Sequence, residues 1–433
     1  MAARSGPLSS SGTTLRWSDV PVEELIADFS LGVLSRAIDE RGLVLYKQGR
    51  TFFHIAGAGH SEYSALEYLA HGPQFRSSTS GRPGAALPFR ASRPQVSLPN
   101  CLVDVEEEVA ETRYVIYGAG GVGGVLGGRL FQQGKEVALI CRGAHHDAVA
   151  ATGLRVDDPE DSVTLKIPVA RHPAELGIAE DDVVLLTMKS QDTHEALEAL
   201  KRCAPPSISL LCAQNGVANE SAALRLFPNV YGACMVCATT YLAPGVVKAH
   251  HAPITGALDL GRYPSGIDEQ ALAIARDFTD ATWKTSPRDD VMVWKHTKLL
   301  RNLGTVVHAL CGPDLRQGPI FDRLREEGEA VFAAAGIDTV PTSDWGEERQ
   351  DLVRFLPVEG YDSPAGSTWQ SLVRGAGSVE TDYLNGEIVL LGRLHGIPTP
   401  ANATVARLAN SLAFSGSGVG KLSEAELLAA VGP

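Results

Sequence analysis

The sequence predicts an α/β domain, then an all-helical domain, with an irregular extension ahead of both. Three observations carry this. From Tyr114 onward, short apolar runs ("RYVIYGAG", "EVALICR", "DDVVLLTMK", "SISLLCAQNG") alternate with helical stretches such as "GVGGVLGGRLFQQGK" and "THEALEALKRCA". Strands that are almost continuously apolar belong to a parallel sheet covered on both faces. Second, 44 glycines suit tight strand-to-helix turns. Third, helices dominate from about Asp290: "VMVWKHTKLLRNLGTVVHAL", "FDRLREEGEAVFAAAG", "TDYLNGEIVLLGRLHG" and "ANATVARLANSLAF". Between the two regions, "VYGACMVCATTYL", "GVVKAHH" and "GALDLGRY" read as further strands. The expected division is an extension over 1–111, an α/β domain over 112–288 and a helical domain over 289–433. Domains of ~100–200 residues fit a 433-residue chain of this kind.

Composition narrows the function. A formal net charge of -13 is unsuited to nucleic acid or an anionic membrane, since phosphate binding relies on clustered Lys and Arg. No apolar run reaches the ~18 residues a membrane span needs. Met1 to Thr14 is Ser/Gly-rich without an apolar signal segment, and the seven cysteines are odd in number and scattered. Both features point to the reduced cytoplasm. Within the extension, residues 1–20 read as disordered, 22–69 as two short helices and 71–100 as linker. The acidic run "DVEEEVAE" reads as a solvated face.

Gly118-Ala119-Gly120-Gly121-Val122-Gly123 follows a strand and opens a helix. That is the context in which G-x-G-x-x-G binds a dinucleotide in a Rossmann-type domain. Gly118 permits the tight turn, Gly120 lets backbone approach a pyrophosphate, and Gly123 allows close helix–strand packing. The pyrophosphate then meets free N–H groups at the positive helix end. The second strand ends Ile140-Cys141-Arg142, with no acid to bond a ribose 2′-hydroxyl. Arg142 suits a 2′-phosphate instead, so the expected cofactor is NADP(H).

Six motifs occur in order over roughly 113–412: "GAGGVGG", "CRGAHHDAV", "LLTMKSQDTHEAL", "CAQNGVANE", "WKHTKLLRN" and "SVETDYLNGEI". In this the chain resembles the ketopantoate reductase (2-dehydropantoate 2-reductase) family. The resemblance implies an active site between the two domains and hydride transfer from NADPH to the keto carbon of a 2-oxo acid. It implies that Lys189 contacts the cofactor phosphates and that Asn215 bonds cofactor ribose or substrate. By resemblance Lys298 is the general acid, Asn302 orients substrate, and Glu380 binds the substrate hydroxyl end and pairs with that lysine. Ser367 and Thr368 align with the substrate-binding serines. The residues agree with this. Lys298 and Asn302 are i and i+4 on one helix face, and ketone reduction needs a proton donor beside a developing alkoxide. Burial of Lys298 in the cleft would lower its pKa.

The chain also departs from the family pattern. A second helix Asn is Val306, an acidic position is Leu372, an Asn before the serines is Ala365, and a serine is Thr368. These changes lead one to expect a more apolar substrate pocket. The expected partner is a small 2-oxo acid, ketopantoate first, with another 2-oxo acid or ketone as alternative and a homodimer as candidate assembly. A non-catalytic NADP(H)-binding sensor or scaffold is the rival of a different class. "LYKQGRTFFHIAGAGHSE" resembles a stretch of the α-subunit of thiamine-diphosphate 2-oxo acid dehydrogenases. It reads as an appended segment without thiamine chemistry, since no thiamine motif follows. Cys234-x-x-Cys237 reads as core packing, because it lies in a strand and has no second pair for zinc. The pairs His145-His146 and His250-His251 are adjacent rather than i,i+4, so no metal is expected. Trp294 and Trp369 read as core or cleft wall.

Overall fold

The computed structural model describes residues 112–347, 355–358 and 366–432, all within one unit spanning Val103–Pro433. The expectations for 1–111, and the one for Ala365, lie outside the described residues. In chain order the first domain runs β1 (Tyr114–Tyr117), α1 (Gly121–Gln132), β2 (Val137–Ile140), α2 (Gly143–Thr152), β3 (Leu154–Asp157), β4 (Ser162–Leu165), β5 (Val169–Ala170) and β6 (Val183–Leu186). It continues α3 (Thr193–Cys203), β7 (Ser209–Cys212), α4 (Asn219–Leu224), β8 (Asn229–Val236), β9 (Thr239–Thr240), β10 (Val246–Ala249), β11 (Gly256–Arg262), α5 (Glu269–Asp280) and β12 (Trp283–Pro287).

Eight strands form one sheet in the order β12-β11-β8-β7-β6-β1-β2-β5. All neighbours from β5 to β8 are parallel, β8 and β11 are antiparallel, and β11 and β12 are parallel. Because strand side chains alternate, Tyr114, Ile116, Val183 and Leu185 enter one core, and Val115, Val184 and Leu186 the other. This is why the strands read as continuously apolar. The chain leaves β1 for β2 on one side and later returns to β6 on the other. The crevice at their carboxyl ends is therefore a switch point of the kind that binds ligands. A four-stranded sheet, β4-β3-β10-β9, covers α1, whose small residues allow that approach.

The second domain comprises α6 (Val291–Asn302), α7 (Thr305–Cys311), α8 (Pro319–Ala335), α9 (Thr342–Glu347), α10 (Ser367–Val373), α11 (Asn385–His395), α12 (Pro400–Ser415) and α13 (Glu424–Val431). Leu303, Val307, Leu324, Ile388 and Val405 are among the residues of its core. One long helix was expected over 291–310, and the structure has two. The break falls at Gly304, where a Cβ would lie 2.4 Å from the Phe321 ring. A new helix starts after the break at Thr305, which lines the cleft. Among the described residues no helix is long and apolar enough to cross a membrane.

Candidate active site

A cleft of 670 Å³ opens at the carboxyl ends of β1, β2, β6, β7 and β8 and is closed on its other side by α6, α7 and α10. Its floor on the sheet side is the glycine turn. Gly118 has φ +102, and a Cβ there would lie 2.5 Å from the Met188 amide nitrogen. Only glycine fits both demands. At Gly123 a Cβ would lie 2.4 Å from Thr187 Oγ1, so α1 can start against the sheet only with glycine there. Gly118, Ala119, Gly120, Gly121 and Val122 line the cleft, whereas Gly123 packs beneath the turn. Two side chains hold this turn. Thr187 Oγ1 donates to the carbonyls of Tyr117 (2.9 Å) and Gly118 (3.0 Å). His145 Nδ1 accepts from the Gly245 amide (2.9 Å), so its other nitrogen, Nε2, donates to the Ala119 carbonyl (2.7 Å). Burial lowers the pKa of His145, in keeping with that neutral tautomer. Both ring nitrogens are thus taken up in holding the turn, and among the described residues no cluster suits a metal ion.

The turn fits a dinucleotide phosphate on its own geometry. Gly120 caps α1 without a side chain, so the first amides of that helix have no capping partner. A Cβ on Gly120 would lie in the cleft lining, in ordinary contact with Tyr241 Cδ1 at 3.7 Å. Arg142 follows β2 and lies at the mouth, 62% exposed, 3.5 Å from both Asp192 and Glu195.

Lys298 reaches the cleft from α6 together with Asn302. Burial pushes the pKa of Lys298 down and the neighbouring Lys295 charge adds to that, partly offset by Cys234, Cys237 and Glu380. Among the described residues no carboxylate lies within ion-pair distance of it. Glu380, in a 3₁₀ turn before α11, is only 3% exposed, and its partners differ from the expected one. Its Oε2 accepts from Lys189 Nζ (2.9 Å), and its Oε1 from the Ser190 amide (3.0 Å) and Ser190 Oγ (2.9 Å). Lys189 thus carries a carboxylate partner from the helical domain. Asn215 lines the cleft, and its carbonyl accepts from Asn219 Nδ2 (3.2 Å). Asn219 in turn bonds Ser190 Oγ (3.1 Å) and Thr193 Oγ1 (2.8 Å), which ties the loops after β6 and β7 together.

The helical wall corrects three expectations. Ser367 lines the cleft but Thr368, one residue on, is 2% exposed and faces the helical core. A helix turns 100° per residue, which carries Thr368 away from the face that Ser367 presents to the cleft. Val306 and Leu372 also belong to the helical core, so they do not make the cleft more apolar. Cys234 is core, yet Cys237, past the end of β8, lines the cleft.

Sequence reasoning missed Ser190, Asn219, Tyr241, Gln370 and Arg374. Gln370 and Arg374 follow Ser367 at i+3 and i+7, a spacing that could have found them once Ser367 was chosen. Gln370 binds a backbone segment by both ends: Nε2 donates to the Thr239 carbonyl (3.1 Å) and Oε1 accepts from the Tyr241 amide (3.2 Å).

The description "Ketopantoate reductase PanE/ApbA" matches residues 114–265, and its C-terminal counterpart matches 290–413. The chain belongs to the ketopantoate reductase family. That family is one of NADP-dependent oxidoreductases. A 2-dehydropantoate 2-reductase from Halobacterium salinarum is 31% identical over 314 residues, covering 68% of this chain and 97% of that protein. One from Pyrococcus horikoshii is 28% identical, covering 66% of this chain and 93% of that protein. Among solved structures, a PanE/ApbA family ketopantoate reductase from Ralstonia eutropha is 28% identical with a TM-score of 0.59, covering 71% of this chain and 99% of that chain. A D-mandelate dehydrogenase shares the fold (20% identity, TM-score 0.58, 71% and 100% covered). The family matches stop short of 1–111, so nothing in them bears on the extension.

Proposed function

We propose that this protein reduces a 2-oxo acid to the corresponding 2-hydroxy acid with NADPH, and that ketopantoate is the first substrate to try. The observation that carries this is Lys298: a half-buried ammonium with no carboxylate partner among the described residues, opening on a cleft whose other wall is the glycine turn. Bound NADPH supplies a hydride, with its electron pair, to the keto carbon. The chain's own residues do the rest. Lys298 Nζ gives a proton to the oxygen as negative charge develops there, and its positive charge favours that alkoxide. Because burial has lowered its pKa, the ammonium gives the proton up more readily than an exposed lysine would. Asn302 and Ser367 flank the same space and orient the carboxylate and carbonyl by hydrogen bonds. Glu380, through Lys189 and Ser190, keeps the sheet edge and the helical domain together so that water stays out.

A second 2-oxo acid is favoured by one feature. Both Glu380 oxygens already have donors, so a hydroxyl end on the substrate is not needed to satisfy that carboxylate. The test is NADPH oxidation by purified protein, followed by absorbance, against ketopantoate and a panel of other 2-oxo acids. Turnover of ketopantoate establishes the first reading; turnover of another acid alone keeps the chemistry and changes the substrate. NADPH binding with no turnover of any acid would point to a sensor, and no NADPH binding would end the proposal.

A further inference from the structure

Four cations line the cleft: Arg142, Lys189, Lys298 and Arg374. Arg142 lies between Asp192 and Glu195, and Lys189 is paired with Glu380. Lys298 is held deep on α6. Arg374 is different. It is exposed at the end of α10, and among the described residues no carboxylate pairs with it. Its guanidinium donates to the Tyr241 carbonyl (2.7 Å) and to Ser371 Oγ (3.3 Å), and stands 5.0 Å from the centre of the Tyr241 ring. Tyr241 itself lies against the glycine turn. A Cβ on Gly121 would meet Tyr241 Cβ at 3.5 Å, one on Gly120 would meet Tyr241 Cδ1 at 3.7 Å, and the His145 ring that holds the turn is 4.7 Å from the Tyr241 ring. The two-point grip of Gln370 on Thr239 and Tyr241 fixes α10 against this segment.

We infer that Arg374 is a cofactor-binding residue that meets the dinucleotide diphosphate from the helical side, opposite the amides of α1. This rests on the NADPH reading above and deepens it. A diphosphate laid on the glycine turn carries negative charge that α1 meets only with partial charges. The guanidinium, carried over the turn on the Tyr241 ring, supplies a full charge and donors in a planar fork. Arg142, at the end of β2, then serves the 2′-phosphate alone. The division of labour gives the cofactor one contact in each domain, so bound dinucleotide draws the helical wall onto the sheet edge.

The test measures dissociation constants of the full chain for NADPH, NADH and adenosine 2′-monophosphate, by dihydronicotinamide fluorescence and by calorimetry, in Arg374→Gln, Arg374→Lys and Arg142→Gln. Arg374→Gln should weaken NADPH and NADH by the same factor, roughly tenfold to a hundredfold for one charge-assisted contact. It should leave adenosine 2′-monophosphate, which has no diphosphate, unchanged. Arg374→Lys should recover part of the loss, and Arg142→Gln should weaken NADPH and the monophosphate but not NADH. Unaltered NADPH binding in Arg374→Gln, or a loss confined to NADPH, would overturn the assignment. An equal loss on the monophosphate would make Arg374 a prop for the Tyr241 wall and overturn it too. If the wild-type chain bound neither dinucleotide, the NADPH reading itself would fall.

Discussion

Lys295 and Lys298 stand three residues apart on α6, the first buried and the second half-buried at the cleft, and they meet opposite surroundings. Lys295, with its side chain 2% exposed, is paired with the fully buried Glu220, and its Nζ also donates to the carbonyls of Cys212 (3.3 Å) and Gln214 (3.1 Å). Every proton of the ammonium has an acceptor. Lys298 has no such set and opens on the cleft. The difference teaches what burial does to one side chain. With partners it makes a strut that ties α6 to β7 and α4; without them it leaves a strained cation that gains by giving up its proton.

The comparison breaks first at Lys298. Lys298→Ala should lower kcat by about 10²–10⁴-fold, the usual worth of a general acid, with the circular dichroism spectrum intact. Undiminished turnover would remove Lys298 from the chemistry. Lys295→Met should act on stability instead, at a cost of about 3–5 kcal/mol in urea unfolding, since it leaves Glu220 buried and unpaired. Replacing both partners, Lys295→Met with Glu220→Leu, should restore most of that loss. If instead the double variant were as unstable as the single one, the pair would be more than a strut.

The two walls of the cleft differ in how much of them could be read in advance. The sheet side was visible because its demands are local. A strand, a G-x-G-x-x-G turn and a helix follow one another in the chain, and Gly118 and Gly123 are required by contacts with residues that adjoin in the sheet. The helical side depends on rotation about helix axes. Thr368, Val306 and Leu372 were each placed toward the cleft, and each is turned into the core instead. The partners of Glu380 were hidden for a different reason: Lys189 and Ser190 are about 190 positions away and meet it only through the packing of two domains. Strands β3, β4, β5 and β12 were not foreseen either. They are short or carry polar residues, and the smaller sheet gains its order from α1 beneath it.

The one-residue difference between Ser367 and Thr368 sharpens this. Ser367→Ala should raise KM for the oxo acid about tenfold, the worth of one substrate hydrogen bond to a charged group, with little change in melting temperature. Thr368→Val should leave KM alone. Reversal of those two results would mean that α10 is rotated in the substrate complex relative to the arrangement seen here.

The smallest effect is the most direct test of the strain on Lys298. Its pKa is lowered from the ordinary 10.5 by burial. As general acid it must be protonated, so kcat should fall as pH rises through the lowered value, earlier than for an exposed lysine. Stability should move the other way. Between the lowered value and the ordinary one the unfolded chain holds a proton that the folded chain has lost, so stability rises with pH across that window. Cys237, in the same cleft, opposes this at the upper end. Burial raises its thiol from 9.0 to about 11, so above pH 9 the folded chain keeps a proton that the unfolded one releases. Burial raises the Cys141 and Cys311 thiols to about 11 as well, so the rise belongs to the part of the window below pH 9. Lys298→Met should be more stable than the wild type at neutral pH, by about 1–2 kcal/mol, since active sites hold strained groups at the expense of stability. It should also lose the share of that rise which Lys298 contributes, while abolishing turnover. A Lys298→Met protein with the same unfolding profile as the wild type would show that the ammonium is well solvated in the cleft, and the contrast with Lys295 would then be one of position alone.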